Sequence, residues 1–194
     1  MDQEGGKVHR LKSVYGFEET PSWQHIGVLN NPLMTEQFAK TMASTLSDMG
    51  INLNFAPVLD LDHGQDTVIS DSERAFSTDP QNVIEHSRIF IEQHKIKEII
   101  TCGKHFPGLG SASGDTHEGF TDISDTWSVK DLIPFDEKIQ SGDLDMVMVS
   151  HAFDTKLDPE YPSSLSKKII NDMLRNDLGF SCLLYTSDAA DEGL

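Results

Sequence analysis

The feature that most limits what this chain can fold into is a change of period that repeats along it. Four times, apolar residues at helical spacing give way to a short apolar run of the kind found in buried strands. Thr35 to Met49 carries Phe38, Met42, Leu46 and Met49 on one face, with Thr35 as N-cap and Gly50 as stop. Residues 52–60, NLNFAPVLD, then read as a strand. A second helix starts at Asp79 or Pro80 and carries Val83, Ile84, Ile89, Phe90 and Ile91; a strand over 99–103 follows. Asp131 to Gln140 reads as a helix that tolerates Pro134 only in its first turn, and 145–152 as a third strand. Ser166 caps the last helix, with face Ile169, Ile170, Met173, Leu174 and Leu178; Gly179 ends it and Phe180 opens a fourth strand.

Strand and helix in strict alternation predict parallel βα units. The unusual polar residues cluster just after the strands: LDLDHG, GKHFPGLG and SHAFD, with DQEGG at the start. In a β/α barrel those loops build the active site. A complete barrel takes roughly 250 residues, and this chain has 194. The expected fold is therefore α/β, an incomplete (β/α)8 TIM-like barrel comprising about its central half. An open doubly wound sheet has less support, because no G-x-G-x-x-G loop opens a helix.

Both ends read as cut. DQEGG is a loop that would normally follow a strand. From Cys182 the chain reads CLLYTSDAADEGL, which resembles a translated sequencing adapter. Residues 1–181 are thus expected to be a fragment of one barrel domain, and 182–194 a non-native tail.

Composition closes off other classes. Acids outnumber bases 32 to 15, for a net charge of −17, so there is no broad basic face for nucleic acid. No run approaches the roughly 18 apolar residues of a membrane span. No signal peptide is visible before Asp2, and two cysteines make no disulfide framework.

The chemistry concentrates in residues 104–117, KHFPGLGSASGDTH. A strand delivers Lys104 and His105 to the barrel mouth. A glycine-rich loop then carries Asp115 and His117, two positions apart and so on one side of an extended segment. A carboxylate beside an imidazole fixes its tautomer and favours its charged form. That is how a general acid/base near neutral pH is made. A metal site on His105, Asp115 and His117 is disfavoured, because Lys104 would repel a cation. Arg74 could instead pair with Asp79 or Glu73, and Asp60 and Asp62 read as structural or solvated. His9, His25, His63, His86 and His94 carry no functional expectation.

This segment resembles the hallmark of family 3 glycoside hydrolases, in the branch of bacterial β-N-acetylhexosaminidases. DQEGGKVHR (2–10), NFAPVLD (54–60), ERAFSTDP (73–80), DLIPF (131–135), VMVSHA (147–152) and PSSLSKKIINDMLRNDLGF (162–180) are similar to that family's other blocks, in order. The resemblance covers nearly all of residues 2–181. It implies His117 as acid/base with Asp115 as its partner, and Asp2, Arg10, Arg74, Lys104, His105 and His151 as substrate-binding residues. It implies no cofactor, no metal and no nucleic-acid partner. The implied substrate is a small carbohydrate with a terminal β-linked N-acetylglucosamine, from muropeptides or chitin fragments, cleaved by a retaining two-step reaction.

Three departures stand out. Leu109 occupies a position where histidine is frequent, and Lys7 replaces a more usual arginine. The nucleophilic aspartate expected after GF is absent: without gaps Ser187 falls there, and neighbouring Asp188 lies in the suspect tail. The 194-residue chain is accordingly expected to be inactive as it stands. Phosphorolysis in place of hydrolysis, and a non-catalytic sugar-binding role, stay open at this point.

Overall fold

A computed structural model describes residues 1–64, 66–114 and 119–186. Four strands form one parallel sheet in chain order: β1 (Leu53–Asn54), β2 (Ile100–Phe106), β3 (Met146–Val149) and β4 (Leu183–Thr186). Consecutive order without a reversal is what a barrel requires; a doubly wound sheet would show a switch point. Helices connect the strands. α1 (Trp23–Leu29) and α2 (Pro32–Asp48) precede β1, and α3 (Val68–Asp71) and α4 (Pro80–Ile96) lie between β1 and β2. α5 (Ile133–Gln140) lies between β2 and β3, and a wide-turned π-helical segment, Lys168–Asp177, precedes β4.

The alternation predicted from sequence is present, with shifted boundaries. α2 starts a turn before Thr35: Asn31 caps it, its side chain accepting from Leu33 N at 3.1 Å, and Pro32 takes the first position. Thr35 is instead buried, its hydroxyl 2.7 Å from His86 Nδ1. β1 pairs over only two residues; past it Cys102 N donates to Ala56 O and Lys104 N to Pro57 O, and a bridge joins Val58 to Lys104. β2 runs past residue 103, so Lys104 and His105 are part of the strand. β3 stops at Val149, which leaves His151 beyond it. Asp131 lies in a 3₁₀ turn, Val129–Leu132, ahead of α5. Ser166 Oγ does accept from Ile169 N, at 3.1 Å. Phe180 does not start a strand; its N–H donates to Leu174 O and closes the helical segment. Residues 183–186, part of the stretch read as a tail, pair with β3, and the Tyr185 ring sits 4.9 Å from that of Phe55.

The core lies between the sheet and α1, α2, α4 and α5. Trp23 on α1 packs on Phe76 at 5.0 Å and edge-on to Phe90 at 5.2 Å. Helix α1 leaves little periodicity in the sequence, since it is only seven residues long and two of its four apolar residues, Val28 and Leu29, are exposed. Its close docking depends on Gly27, where a Cβ would fall 1.5 Å from Phe76 O. Gly27→Ala is therefore expected to push α1 off the segment that carries Arg74, at a cost of about 1–3 kcal/mol. Thermal denaturation checks this; an unchanged Tm would refute it.

Candidate active site

β2 brings Lys104 and His105 to the C-terminal end of the sheet, and both side chains are buried. An ammonium in such a place costs several kcal/mol unless it is paired. Lys104 Nζ has two carboxylates: Glu4 Oε1 at 2.5 Å and Asp2 Oδ1 at 3.0 Å. Glu4 is itself buried and receives the fork of Arg74, Nε to Oε2 and Nη2 to Oε1, each at 2.8 Å. The same Nη2 lies 3.1 Å from His105 Nε2. A guanidinium offers only donors, so Nε2 must accept, and the His105 proton sits on Nδ1. That N–H donates to Asp60 Oδ2 at 2.6 Å. Asp60 is fully buried, and its Oδ1 accepts from His105 N at 3.2 Å and Leu109 N at 2.8 Å. Arg10 stands at the rim, its Nη2 3.8 Å from Asp2 Oδ2.

Burial shapes the charges. It would raise the Glu4 carboxyl, but Arg74 and Lys104 outweigh it and hold Glu4 well below the usual carboxylate range. Burial likewise opposes the Lys104 ammonium, and Glu4, then Asp2, more than offset it, so Lys104 is held above its ordinary value. Cys102, on the same strand, is pushed up to about 12, chiefly by burial, and is no nucleophile at neutral pH.

The first turn of chain is fixed from below. Gln3 N donates to Asn54 Oδ1, and Asn54 Nδ2 donates to Gln3 O, both at 3.0 Å. Gln3 Oε1 then accepts from Arg10 N at 2.9 Å and Leu11 N at 3.0 Å. Behind Asn54, His94 on α4 gives its Nδ1 proton to Phe90 O at 2.9 Å and presents Nε2 to Asn54 Nδ2 at 3.2 Å. Burial pushes His94 down to about 4, so it is neutral in this role. Asp2 and Arg10 are thereby placed by one bracket.

The result is a continuous polar chain, Asp60–His105–Arg74–Glu4–Lys104–Asp2–Arg10, sealed at one end and open at the other. The Asp2 side chain retains 20% exposure and that of Arg10 40%. This can hold a hydroxylated ligand between an acceptor and donors whose orientation is settled beforehand.

The sequence pattern of the glycosyl hydrolase family 3 N terminal domain matches residues 1–193. The chain belongs to glycosyl hydrolase family 3. It is 35% identical over 201 residues to a beta-hexosaminidase of Nitrosomonas eutropha, covering 97% of this chain and 55% of that protein. It is 33% identical to a beta-hexosaminidase of Tolumonas auensis, covering 100% and 58%. Among solved structures it is similar to a beta-N-acetylhexosaminidase from Beutenbergia cavernae, with TM-score 0.89, 32% identity and coverage of 96% and 56%. It is also similar to NagZ from Neisseria gonorrhoeae in complex with N-trifluoroacetyl-D-glucosamine, with TM-score 0.86, 29% identity and coverage of 100% and 58%. The chain thus spans a little over half the length of these relatives.

In this family 3 domain, Asp2, Arg10, Arg74, Lys104 and His105 come together as one network. Arg74 pairs with neither Asp79 nor Glu73; its partner is Glu4, and Glu73 takes Lys7 at 2.9 Å. His151 is engaged apart from them, its Nδ1 2.6 Å from Ser164 Oγ. Asp115 and His117 lie outside the described residues, as do Ser187 and Asp188. Sequence reasoning missed Glu4 as the hub of the ion network. The available signal was that DQEGG places a second acid beside Asp2 with buried cations still unassigned. Among the described residues no group of three or more His, Cys, Asp or Glu is arranged to hold a metal. Nor is any helix there long and apolar enough to cross a membrane.

Proposed function

We propose that this family 3 chain is the barrel portion of a β-N-acetylhexosaminidase that releases terminal, non-reducing β-linked N-acetylglucosamine from muropeptide or chitin-type oligosaccharides. The observation that carries the reading is the Asp2–Arg10 rim set on the buried Lys104–Glu4–Arg74–His105 network. Asp2 accepts from sugar hydroxyls, while Arg10 and the cations behind it supply donors. His105 serves chiefly through its bond to Arg74, and His151 lines the mouth after β3. The reaction proceeds with retention. A carboxylate attacks the anomeric carbon to form a glycosyl-enzyme while His117, steadied by Asp115, gives its proton to the departing oxygen. Water then enters, His117 takes one of its protons, and the sugar leaves with its original configuration. The imidazole suits both steps, because its ordinary pKa is near the working pH and needs no burial to reach it. Relatives named beta-hexosaminidase support this assignment.

The test is NMR of the anomer first released from a chromogenic N-acetyl-β-glucosaminide by the full-length protein. The β anomer is expected. The α anomer would overturn the retaining mechanism, and absence of hydrolysis would overturn the glycosidase reading.

A further inference from the structure

The loop that leaves β2 at Phe106 and leads to Asp115 and His117 is held between two walls. One wall is the segment after β1. Its Asp60 accepts from Leu109 N, and its Val68 N donates to Ala112 O at 3.0 Å. Leu61 O lies so close to Gly110 that a Cβ there would fall 1.9 Å from it. The other wall is the entry to α5. Trp127 Nε1 donates to Pro107 O at 3.0 Å, and a Cβ on Gly108 would fall 2.5 Å from that of Asp131. A side-chain hydrogen bond ties one wall to the other across the loop: His63 Nε2 lies 2.7 Å from Asp131 Oδ1.

Asp131 is shaped for that contact. It is fully buried, and its Oδ2 is taken by Ser128 N at 3.0 Å and Ser128 Oγ at 3.2 Å. Its Oδ1 is directed at His63. The pairing acts on His63 in turn: the hydrogen bond to Asp131, against partial burial, holds the imidazole above its ordinary value, and Asp60 and Asp62 add to this. Both protonation states of the imidazole can keep a proton on Nε2, so the contact survives deprotonation.

We infer that His63 and Asp131 form a clasp across residues 107–114, and that His63 is a positioning residue for the reaction. Residues 107–114 include three glycines, and glycine backbones resist excursion poorly. The walls, and the bond that joins them, therefore set where the chain emerges toward Asp115 and His117. A shift of about 1 Å in a reacting group can cost about 100-fold in rate. The inference rests on the reading of His117 as acid/base, and two measurements keep the two apart.

The first is amide hydrogen exchange of 107–113 in this chain. His63→Ala is expected to speed exchange there at least tenfold, with α2 and α4 unchanged. His63→Gln, which keeps a donor at similar reach, is expected to restore most of the protection. Unaltered exchange in His63→Ala, faster exchange throughout α2 and α4, or failure of His63→Gln to protect would each overturn the clasp. The second is hydrolysis of a chromogenic N-acetyl-β-glucosaminide by the full-length protein. His63→Ala is expected to lower kcat about 10- to 100-fold with KM within threefold, and His63→Gln to recover most of it. An unchanged kcat with a loosened loop would overturn the positioning role. A wild-type protein without hydrolysis would remove the glycosidase reading, and the exchange data alone would then decide the clasp.

Discussion

Glu4→Gln is expected to destabilise the domain by about 3–5 kcal/mol, the usual cost of removing one partner from a buried ion network. The carboxylate lies between Lys104 and Arg74, and the amide that replaces it cannot neutralise either. Its NH2 group would also face donors. Among the described residues Lys104 would keep Asp2, a partly exposed partner. The sign of the pH dependence follows from the two shifts. Glu4 is depressed when folded, so its contribution is complete above its ordinary value of 4.5 and lost as pH falls toward the folded value. Lys104 is raised, so its contribution is complete below its ordinary value of 10.5 and lost as pH climbs past the folded value. Urea titrations across pH should show a wild-type plateau between those limits, and Glu4→Gln should lose most of the acid limb. A midpoint shift worth less than about 1 kcal/mol would mean that water, not Glu4, balances the cations.

His117→Ala should lower kcat by about 100- to 10,000-fold in the full-length protein, the range spanned by general acid–base catalysis. The loss should depend on the leaving group. An acidic phenol departs without a proton, so its glycosides should suffer less in the first step than those of an ordinary sugar alcohol. The limb of the pH profile that reports the imidazole should vanish as well. A variant with full activity on a natural disaccharide would remove His117 from the mechanism.

Much of this was legible from sequence, for physical reasons that differ by residue. The βα alternation could be read because buried parallel strands and amphipathic helices leave different periods. Lys104 and His105 stood out because polar residues that end an apolar strand have to be doing something. Asp60 was read as structural or solvated; structural is correct, and its buried carboxylate orients His105. Arg74's partner was not legible, because Glu4 lies 70 positions away and pairing at that separation leaves no local pattern. The cap of α2 was misplaced for a similar reason. Thr35 has the right chemistry, but its hydroxyl is committed to His86 on another helix. His63 leaves no local pattern either, because its partner Asp131 lies 68 positions away.

The bracket beneath the rim couples distant positions of the chain. Gln3, Asn54 and His94 come from three distant places in the chain, and Asn54 is the joint: its side chain holds the Gln3 backbone on one side and His94 Nε2 on the other. Altering Asn54 strands the Gln3 backbone amide and carbonyl at once, while the side-chain-to-side-chain bond among the three is Asn54–His94, so those two positions would be inherited as a single locus. In a library that varies them freely, surviving clones should show correlated pairs at 54 and 94, with position 3 varying separately, while the exposed face of α2 drifts without constraint.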